Sequence, residues 1–310
     1  MKIKTWLTLG RVSNLPTVWT NVFAAALLAQ ASLIGAAGDD MIFQHSNVFW
    51  MTTLAALSLM YLGGMFLNDA FDAEWDRKNS NPRPIAKGDI AACWVWITGS
   101  LMLVIAIVLI AYLYQATQHG SVIVFGFNIQ SLYGLFAAIL LALTIILYNA
   151  IHKQFAHSAF VMGACRCGVY LIAALLLVEV SFALALAAIS LWLYIAGITY
   201  LARDEHTNRL VRYWPLALLF SPVFIGASLG SQSIYFWLFV VGFCGWLISR
   251  IQSLLNAEQP NVKACIGGLL AAIPLFDGLM LASVDAVIPS LVCVSIFLTI
   301  PRLHLWISGT

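Results

Sequence analysis

Charge is scarce in this chain of 310 residues: Asp, Glu, Lys and Arg together make up 9 %, against 62 % hydrophobic residues and a mean hydropathy of +0.93. A water-soluble domain of this length cannot hide so much apolar surface, because much of its exterior must stay polar. The composition therefore excludes a soluble protein and indicates a multi-span membrane protein. The net charge of +2 supplies no basic excess, and no nucleic-acid partner is expected. Cysteine is sparse as well. Cys93, Cys165, Cys167, Cys244, Cys265 and Cys293 sit in or beside apolar runs, at spacings that match neither a zinc site nor a disulfide framework, and read as buried thiols. The start, MKIKTWLTLGR, is basic and short and runs into a full-length span with no A-x-A-like cleavage site, so no cleavable signal peptide is expected. Low-complexity tracts, long linkers and convincing internal repeats are also missing, which leaves one integral-membrane domain over 1–310.

What is abundant is long apolar runs. Windows near the ~20 residues that cross a bilayer fall at about 14–37, 47–69, 91–115, 131–150, 156–178, 180–202, 212–230, 233–252, 263–282 and 285–303. The fold class expected is all-α, a bundle of nine to ten transmembrane helices. Placing the Lys and Arg residues on this map gives a strong asymmetry. Lys2, Lys4, Arg11, Arg77, Lys78, Arg83, Lys87, Lys153, Arg203, Arg209, Arg212, Arg250, Lys263 and Arg302 all fall on one side of it. The intervening loops carry no Lys or Arg. By the positive-inside rule that side is cytoplasmic, with both termini there, as for a protein of a bacterial inner membrane. An odd number of spans would strand Arg302 on the opposite face, which favours ten, or nine with a half-inserted last segment.

Arg166, in GACRCG, is the exception. It lies about ten residues into the fifth span, ~15 Å deep at ~1.5 Å per residue, and Asp277 lies at similar depth in the ninth. Ionisable groups at such depth face the protein interior and mark functional sites. The alternative is that Arg166 and Asp277 pair with each other and only tie the bundle together.

The cytoplasmic end of the second span holds the densest chemistry, NDAFDAEWDRKNSNPRPIAKG. Continued as a helix, Asp69, Asp72 and Asp76 stand at i, i+3 and i+7, within roughly a 60° arc. Asn68 flanks the ridge and Glu74 points away from it. Three carboxylates on one face repel one another unless something cationic sits among them. Hard oxygen ligands of this kind suit Mg²⁺, which takes one or two carboxylates and completes its shell with water and phosphate oxygens. The competing reading is a wet loop balancing Arg77, Lys78 and Arg83. The helical spacing, Asn68, and the run Arg83-Pro84-Ile85-Ala86-Lys87-Gly88 argue against it. In the first span Asn14, Thr17 and Asn21 share a face near the cytoplasmic entrance. They are candidates to contact a metal-bound diphosphate, although such residues often only bond neighbouring helices.

NDxxDxxxD followed by RPxxxG resembles the first aspartate-rich motif of the UbiA superfamily of intramembrane prenyltransferases. Here it reads Asn68, Asp69, Asp72 and Asp76, then Arg83, Pro84 and Gly88. RVSNLPT, with Arg11, Asn14, Pro16 and Thr17, leads into the first span as in that family. Tyr148 and Lys153, in YNAIHK, resemble its Tyr-x4-Lys, and the acidic loop LARDEHTN closes the sixth span. The resemblance covers most of the chain. It implies a horseshoe of helices around a lipid-accessible cavity in which two Asp-rich motifs hold Mg²⁺ and a polyprenyl diphosphate. Ionisation of the C–O bond then yields an allylic cation, captured by a small aromatic or lipid acceptor. Asp69, Asp72, Asp76 and Asp204 would act at the metal, with Asn68 and Asn208 assisting. Lys153, Arg83 and Arg203 would hold the diphosphate, while Tyr148, Arg166 and Asp277 would face the cation or substrate from the cavity wall.

The second motif departs from the family pattern. Arg203 and Asp204 are followed by Glu205 and His206, and Asn208 stands where a second aspartate belongs. That site has lost one negative charge. Three explanations stay open: Asn208 or Glu205 serves as ligand, substrate supplies the missing oxygens, or the chemistry differs. Two further functions stay open: a UbiA-type terpene cyclase that folds the cation onto its own double bonds, which the altered second motif and an aromatic-rich chain allow because π faces stabilise cations, and a transporter or non-catalytic membrane scaffold. His152, His157, His206 and His304 read as loop residues of less weight, His206 being of interest for its place in the altered motif.

Overall fold

The computed structural model describes residues 3–31, 46–79, 83–116, 123–124, 127–177, 180–203, 212–229, 233–255 and 261–307. The chain begins with a short helix, α1 (Ile3–Leu9), and a 3-10 turn at Val12–Asn14, which leads into α2 (Leu15–Ala31). The long helices α3 (Asn47–Lys78), α4 (Ala92–Ala116), α5 (Ile129–Ile151), α6 (Ser158–Leu175) and α7 (Phe182–Ala202) follow. A two-residue antiparallel ladder, Ile123–Val124 with Phe127–Asn128, precedes α5 and is the sole departure from an all-helical chain among the described residues. Two short helices, α8 (Pro215–Leu218) and α9 (Ser221–Leu229), then lead to α10 (Ile234–Leu255), α11 (Val262–Ala271), α12 (Ile273–Ala282) and α13 (Val287–Trp306).

Local chemistry marks these boundaries. Ser46, Ser181 and Asn261 cap α3, α7 and α11, their side-chain oxygens accepting from the backbone N–H of Phe49 (3.2 Å), Leu184 (3.2 Å) and Ala264 (2.9 Å). Such caps satisfy donors that the first turn leaves unpaired. Proline sets the breaks: Pro215 opens α8, Pro222 sits in the first turn of α9, and Pro274 opens α12. Because proline lacks an N–H and crowds the preceding turn, each position starts a helix where it would interrupt one.

Nine segments among the described residues are long and apolar enough to cross a membrane, with α11 and α12 together forming one of them. The protein is an integral multi-pass membrane protein. The apolar window at 212–230 does not form a continuous span; it breaks at Leu219–Phe220 into α8 and α9, a shorter apolar segment. Its elbow is held against α7, where the Ser221 hydroxyl donates to the Ser190 carbonyl at 3.0 Å.

Burial separates inner from outer helices. α2 and the α11–α12 span are mostly buried, at 67 % and 78 % of their apolar windows, whereas α10 and α13 are 22 % buried. α2 packs on α3, α6 and α12, and the outer sequence α3–α4–α5–α6–α7 wraps around it neighbour by neighbour. Small residues line the inside of α2: Ala24, Ala25, Ala26 and Ala29 are all fully or nearly fully buried. Inside a bilayer, where lipid is as apolar as leucine, close approach over small residues supplies the packing that a hydrophobic drive cannot.

Candidate active site

The acidic ridge lies on the C-terminal turns of α3, past its apolar stretch. Asp69 and Asp76 are each 3 % exposed and Asp72 is partly buried, while Glu74 points outward and pairs with Lys78 at 2.7 Å. The i, i+3, i+7 spacing turns the three aspartates inward together and leaves Glu74 in the open.

Two separate pieces of chain bring cations to this ridge. The first is the turn after α3. Ile85 is buried, Lys87 N–H donates to the Arg83 carbonyl (2.9 Å), and Asp89 N–H donates to the Pro84 carbonyl (3.0 Å). Gly88 has φ +80°, a left-handed conformation that side-chain-bearing residues resist, and this lets RPIAKG fold back on itself. The Arg83 guanidinium thereby stands 3.9 Å from Asp69.

The second piece is the end of α5. Lys153 Nζ is 3.3 Å from Asp72 and 3.9 Å from the centre of the Trp75 ring. His152 Nε2 lies 3.1 Å from one Asp72 oxygen and 3.3 Å from the other, and its Nδ1 lies 3.1 Å from the Asn149 carbonyl. Both neighbours of the ring are acceptors, the Asp72 carboxylate at one nitrogen and the Asn149 carbonyl at the other. Asn149, itself buried, locks α5 to α3: its amide donates to the Gly64 carbonyl (3.2 Å) and its oxygen accepts from Asn68 (3.2 Å). Tyr148 stacks on His152 at 5.2 Å. The sequence gives His152 little weight and Asn149 none. Their one signal is adjacency to Tyr148 and Lys153, within a helical turn, but nothing local shows that they meet Asn68 and Asp72.

Above the ridge opens a cavity of about 270 Å³. Arg83, Asn68, Asn149, His152 and Tyr148 line its polar end, and Leu141, Ile145, Val169, Ile198, Ile266 and Leu270 line its apolar wall. Arg11 contributes from the N-terminal turn, with φ 44° and ψ 47°, a left-handed conformation that costs a non-glycine residue about 1–2 kcal/mol. Its carbonyl accepts from Asn14 N–H at 2.9 Å, which starts the 3-10 turn. In the sequence Arg11 stands within RVSNLPT, where nothing local gives it a role.

The membrane-depth pair separates. Arg166 lines the cavity, donates to the Thr17 hydroxyl and lies 5.8 Å from the centre of the Tyr61 ring. Asp277 is fully buried and accepts from the Tyr170 hydroxyl and from the Asn21 amide, which reaches both carboxylate oxygens at 2.9 and 2.8 Å. No ion pair joins Arg166 to Asp277 among the described contacts, so they do not tie the bundle as a salt bridge. Tyr170 stands one turn beyond Arg166 on the same face of α6 and takes the carboxylate that the arginine was expected to take. Asn21 therefore bonds α2 to α12 and does not line the cavity, unlike Asn14 and Thr17. Asn14 also bonds His304 of α13 at 2.8 Å.

Arg203 has a different place from the one expected of a diphosphate ligand. Its guanidinium donates to the carbonyls of Phe155 (2.9 Å) and Ala156 (2.8 Å) and to the Ser158 hydroxyl (3.2 Å), fastening the α5–α6 turn to the end of α7. It does not line the cavity. Asp204, Glu205, His206 and Asn208 lie outside the described residues.

Among the described residues no three His, Cys, Asp or Glu side chains converge as a metal cluster. The donor chemistry nevertheless fits Mg²⁺, which needs one or two carboxylates and otherwise takes water and substrate oxygens. Asp69 and Asp72 supply hard oxygens directly behind the cavity's polar lining, and Asn68 adds an amide oxygen.

No family model matches the sequence, and no curated protein is significantly similar to it. Solved structures do match. A digeranylgeranylglyceryl phosphate synthase aligns over 92 % of this chain and 98 % of its own, at 20 % identity and a TM-score of 0.58. A UbiA homologue from Archaeoglobus fulgidus, solved bound to GPP and Mg²⁺, aligns over 92 % of this chain and 99 % of its own, at 13 % identity and a TM-score of 0.58.

Proposed function

We infer that this chain, which has the fold of the UbiA homologues, is a Mg²⁺-dependent intramembrane prenyltransferase that ionises a polyprenyl diphosphate and transfers the prenyl group to a small acceptor. The observation that carries the inference is the polarity of one cavity. At one end a carboxylate ridge faces Arg83, His152 and Lys153; at the other the wall is aliphatic. A ligand matching both ends has a multiply charged head and a hydrocarbon tail, and a prenyl diphosphate is such a molecule.

Asp69, Asp72 and Asp76 would hold Mg²⁺ with help from Asn68, and a second ion would lie against Asp204 and Asn208. Bound there, Mg²⁺ supplies neutralisation of the charge that develops on the leaving diphosphate. Lys153, Arg83 and Arg11 donate to the outer phosphate oxygens, which requires Lys153 and Arg83 to turn from Asp72 and Asp69 toward the substrate. The apolar wall holds the isoprenoid tail and keeps water from the allylic carbon as its C–O bond breaks. The acceptor nucleophile forms the new bond to that carbon and gives up its proton, and diphosphate leaves. Tyr148 offers the cation a ring face beside the ridge. Otherwise the wall is mainly aliphatic, with Tyr61 the other Phe, Tyr or Trp among the described lining residues. This favours transfer over cyclisation, which would profit from several aromatic faces. The Lys and Arg asymmetry of the sequence supports a cytoplasmic ridge, as expected in a bacterial inner membrane; cytoplasmic placement of both termini further requires the shorter apolar segment Pro215–Leu229 to cross as well.

The test is incubation of the purified protein with Mg²⁺ and geranyl, farnesyl or geranylgeranyl diphosphate, with and without phenolic or lipid alcohol acceptors, following diphosphate release and products. Prenylated acceptor is the expected product. A cyclic hydrocarbon formed without acceptor would replace transfer by cyclisation, and no binding or consumption of any diphosphate would overturn both.

A further inference from the structure

A second concavity, of about 570 Å³, opens on the outer face of the bundle between α10 and α13, with α12 as its floor. It follows α10 from Tyr235 to Ser249, about 21 Å at ~1.5 Å per residue, which is the length of an extended acyl chain. Its lining includes Phe239, Trp246 and Leu275, and Val294 and Phe297 from α13. Gly242 and Gly245 face open space: a methyl group built on either meets nothing within 4 Å. The groove belongs to the helices that turn most of their surface outward, so its surroundings are lipid.

At the end of this groove, one residue past Ser249, stands Arg250. Its stem lies on Gly268 of α11 so closely that a Cβ there would come within 2.6 Å of the arginine Cδ. Its guanidinium leans back along α10 over Trp246, 4.4 Å from the ring centre. The indole is itself fixed, its N–H donating to the Gly268 carbonyl at 2.9 Å and its ring meeting Phe297 edge-on at 4.8 Å. The guanidinium is thus held over Trp246, a lining residue of the groove, although an arginine near a helix end ordinarily stretches out toward water.

No acid matches it. Among the described residues no carboxylate lies within ion-pair distance of Arg250. Its Nε is buried with no hydrogen-bond partner, and among the described residues its side-chain hydrogen bond is a 3.4 Å approach to the Ser249 hydroxyl. The contrast with Arg83, which faces Asp69, and Arg203, which holds two carbonyls, is plain. A cation with no carboxylate beside it among the described residues, at one end of an acyl-length apolar groove, complements one kind of molecule already surrounding the protein.

We propose that the α10–α13 groove is a binding site for an anionic phospholipid, with its phosphate on Arg250 and Ser249 and one acyl chain along Gly242, Gly245 and Phe297. This site is separate from the cavity above the acidic ridge and does not depend on the activity assigned to it. Basic pockets between membrane helices recognise anionic headgroups by the same charge-assisted hydrogen bonds.

The test is native mass spectrometry of the full chain released from detergent with phosphatidylglycerol or phosphatidylcholine of identical acyl chains, alongside thermal unfolding with each lipid. Phosphatidylglycerol is expected to bind more tightly and to raise the unfolding temperature further. Arg250→Gln, which keeps a polar side chain over Trp246, is expected to weaken phosphatidylglycerol about tenfold and leave phosphatidylcholine unchanged. Gly245→Leu fills the groove and is expected to weaken both lipids. Equal binding of the two lipids by the unaltered protein, or a preference that survives Arg250→Gln, overturns the proposal. So does an Arg250-dependent stabilisation by inorganic phosphate alone that equals that of the lipid, which would make the site one for a free anion. Should Arg250→Gln not fold, the headgroup preference of the unaltered protein and its loss in high salt decide the question.

Discussion

Two buried aspartate sites in this protein differ in what answers the charge. Asp69 and Asp72 face the cations Arg83 and Lys153 and the His152 ring, and stand directly behind an open cavity. Asp277 faces neutral donors, the Asn21 amide and the Tyr170 hydroxyl, in a pocket closed to solvent and to the cavity. Both arrangements lower the cost of burying a carboxylate, but they leave different options. A lysine or arginine of the ridge can exchange its carboxylate for a phosphate oxygen as a ligand enters. The Asp277 knot has no partner to exchange and joins α2, α6 and α12 as a fixed joint. Carboxylates of one residue type are thus proposed for chemistry in one place and serve architecture in the other, and the neighbours decide which.

Substitution should separate the two. The largest effect is expected from Asp72→Ala, which should lower diphosphate release at least about a hundredfold while leaving the unfolding temperature in detergent nearly unchanged. A rate within a few-fold of the unaltered protein would remove Asp72 from the chemistry. Asp277→Ala should show the reverse pattern. It strands the Asn21 amide and Tyr170 hydroxyl and should cost about 2 kcal/mol of stability, with the rate per folded molecule retained; Asp277→Asn, which keeps one acceptor oxygen, should cost less. A rate that collapses without any loss of stability would move Asp277 into the active site.

Smaller effects sharpen the ridge itself. Lys153→Ala should raise the KM for the prenyl diphosphate about tenfold, the worth of one charge-assisted hydrogen bond, with kcat less affected. Arg203→Ala should act on stability alone, by about 1 kcal/mol, because its guanidinium fastens a turn outside the cavity. A tenfold rise in KM for Arg203→Ala would instead return that residue to the diphosphate.

Much of the ridge is legible in the sequence. Asp69, Asp72 and Asp76 share a face because helical periodicity is local, and Glu74 falls outside the arc for the same reason. The pairing of Asn68 with Asn149, or of Asp72 with His152 across 80 residues of chain, is not legible there. Those contacts depend on where two helices cross, and no spacing along one helix reports it. The seventh apolar window misleads for a related reason. Hydropathy counts 212–230 as one span, but Pro215 and Pro222 and the contact with α7 divide it. Arg166 and Asp277 match in depth alone, and depth says nothing of the face a residue occupies. Tyr170, one turn along α6, takes the carboxylate.

By itself the sequence determined the solvent and the local order: a bilayer protein, helical throughout its spans, with acids gathered at one helix end and cations on the same side. These follow from transfer energies and from a repeat of ~3.6 residues, both properties of short stretches. Only the tertiary structure decided which acid meets a cation and which meets an amide. It also decided that Arg203 closes a turn and that Arg250, with no carboxylate near it among the described residues, stands beside an open groove. Those outcomes turn on distances of a few ångströms between segments far apart in the chain, over which a charge either finds its partner or waits for a ligand.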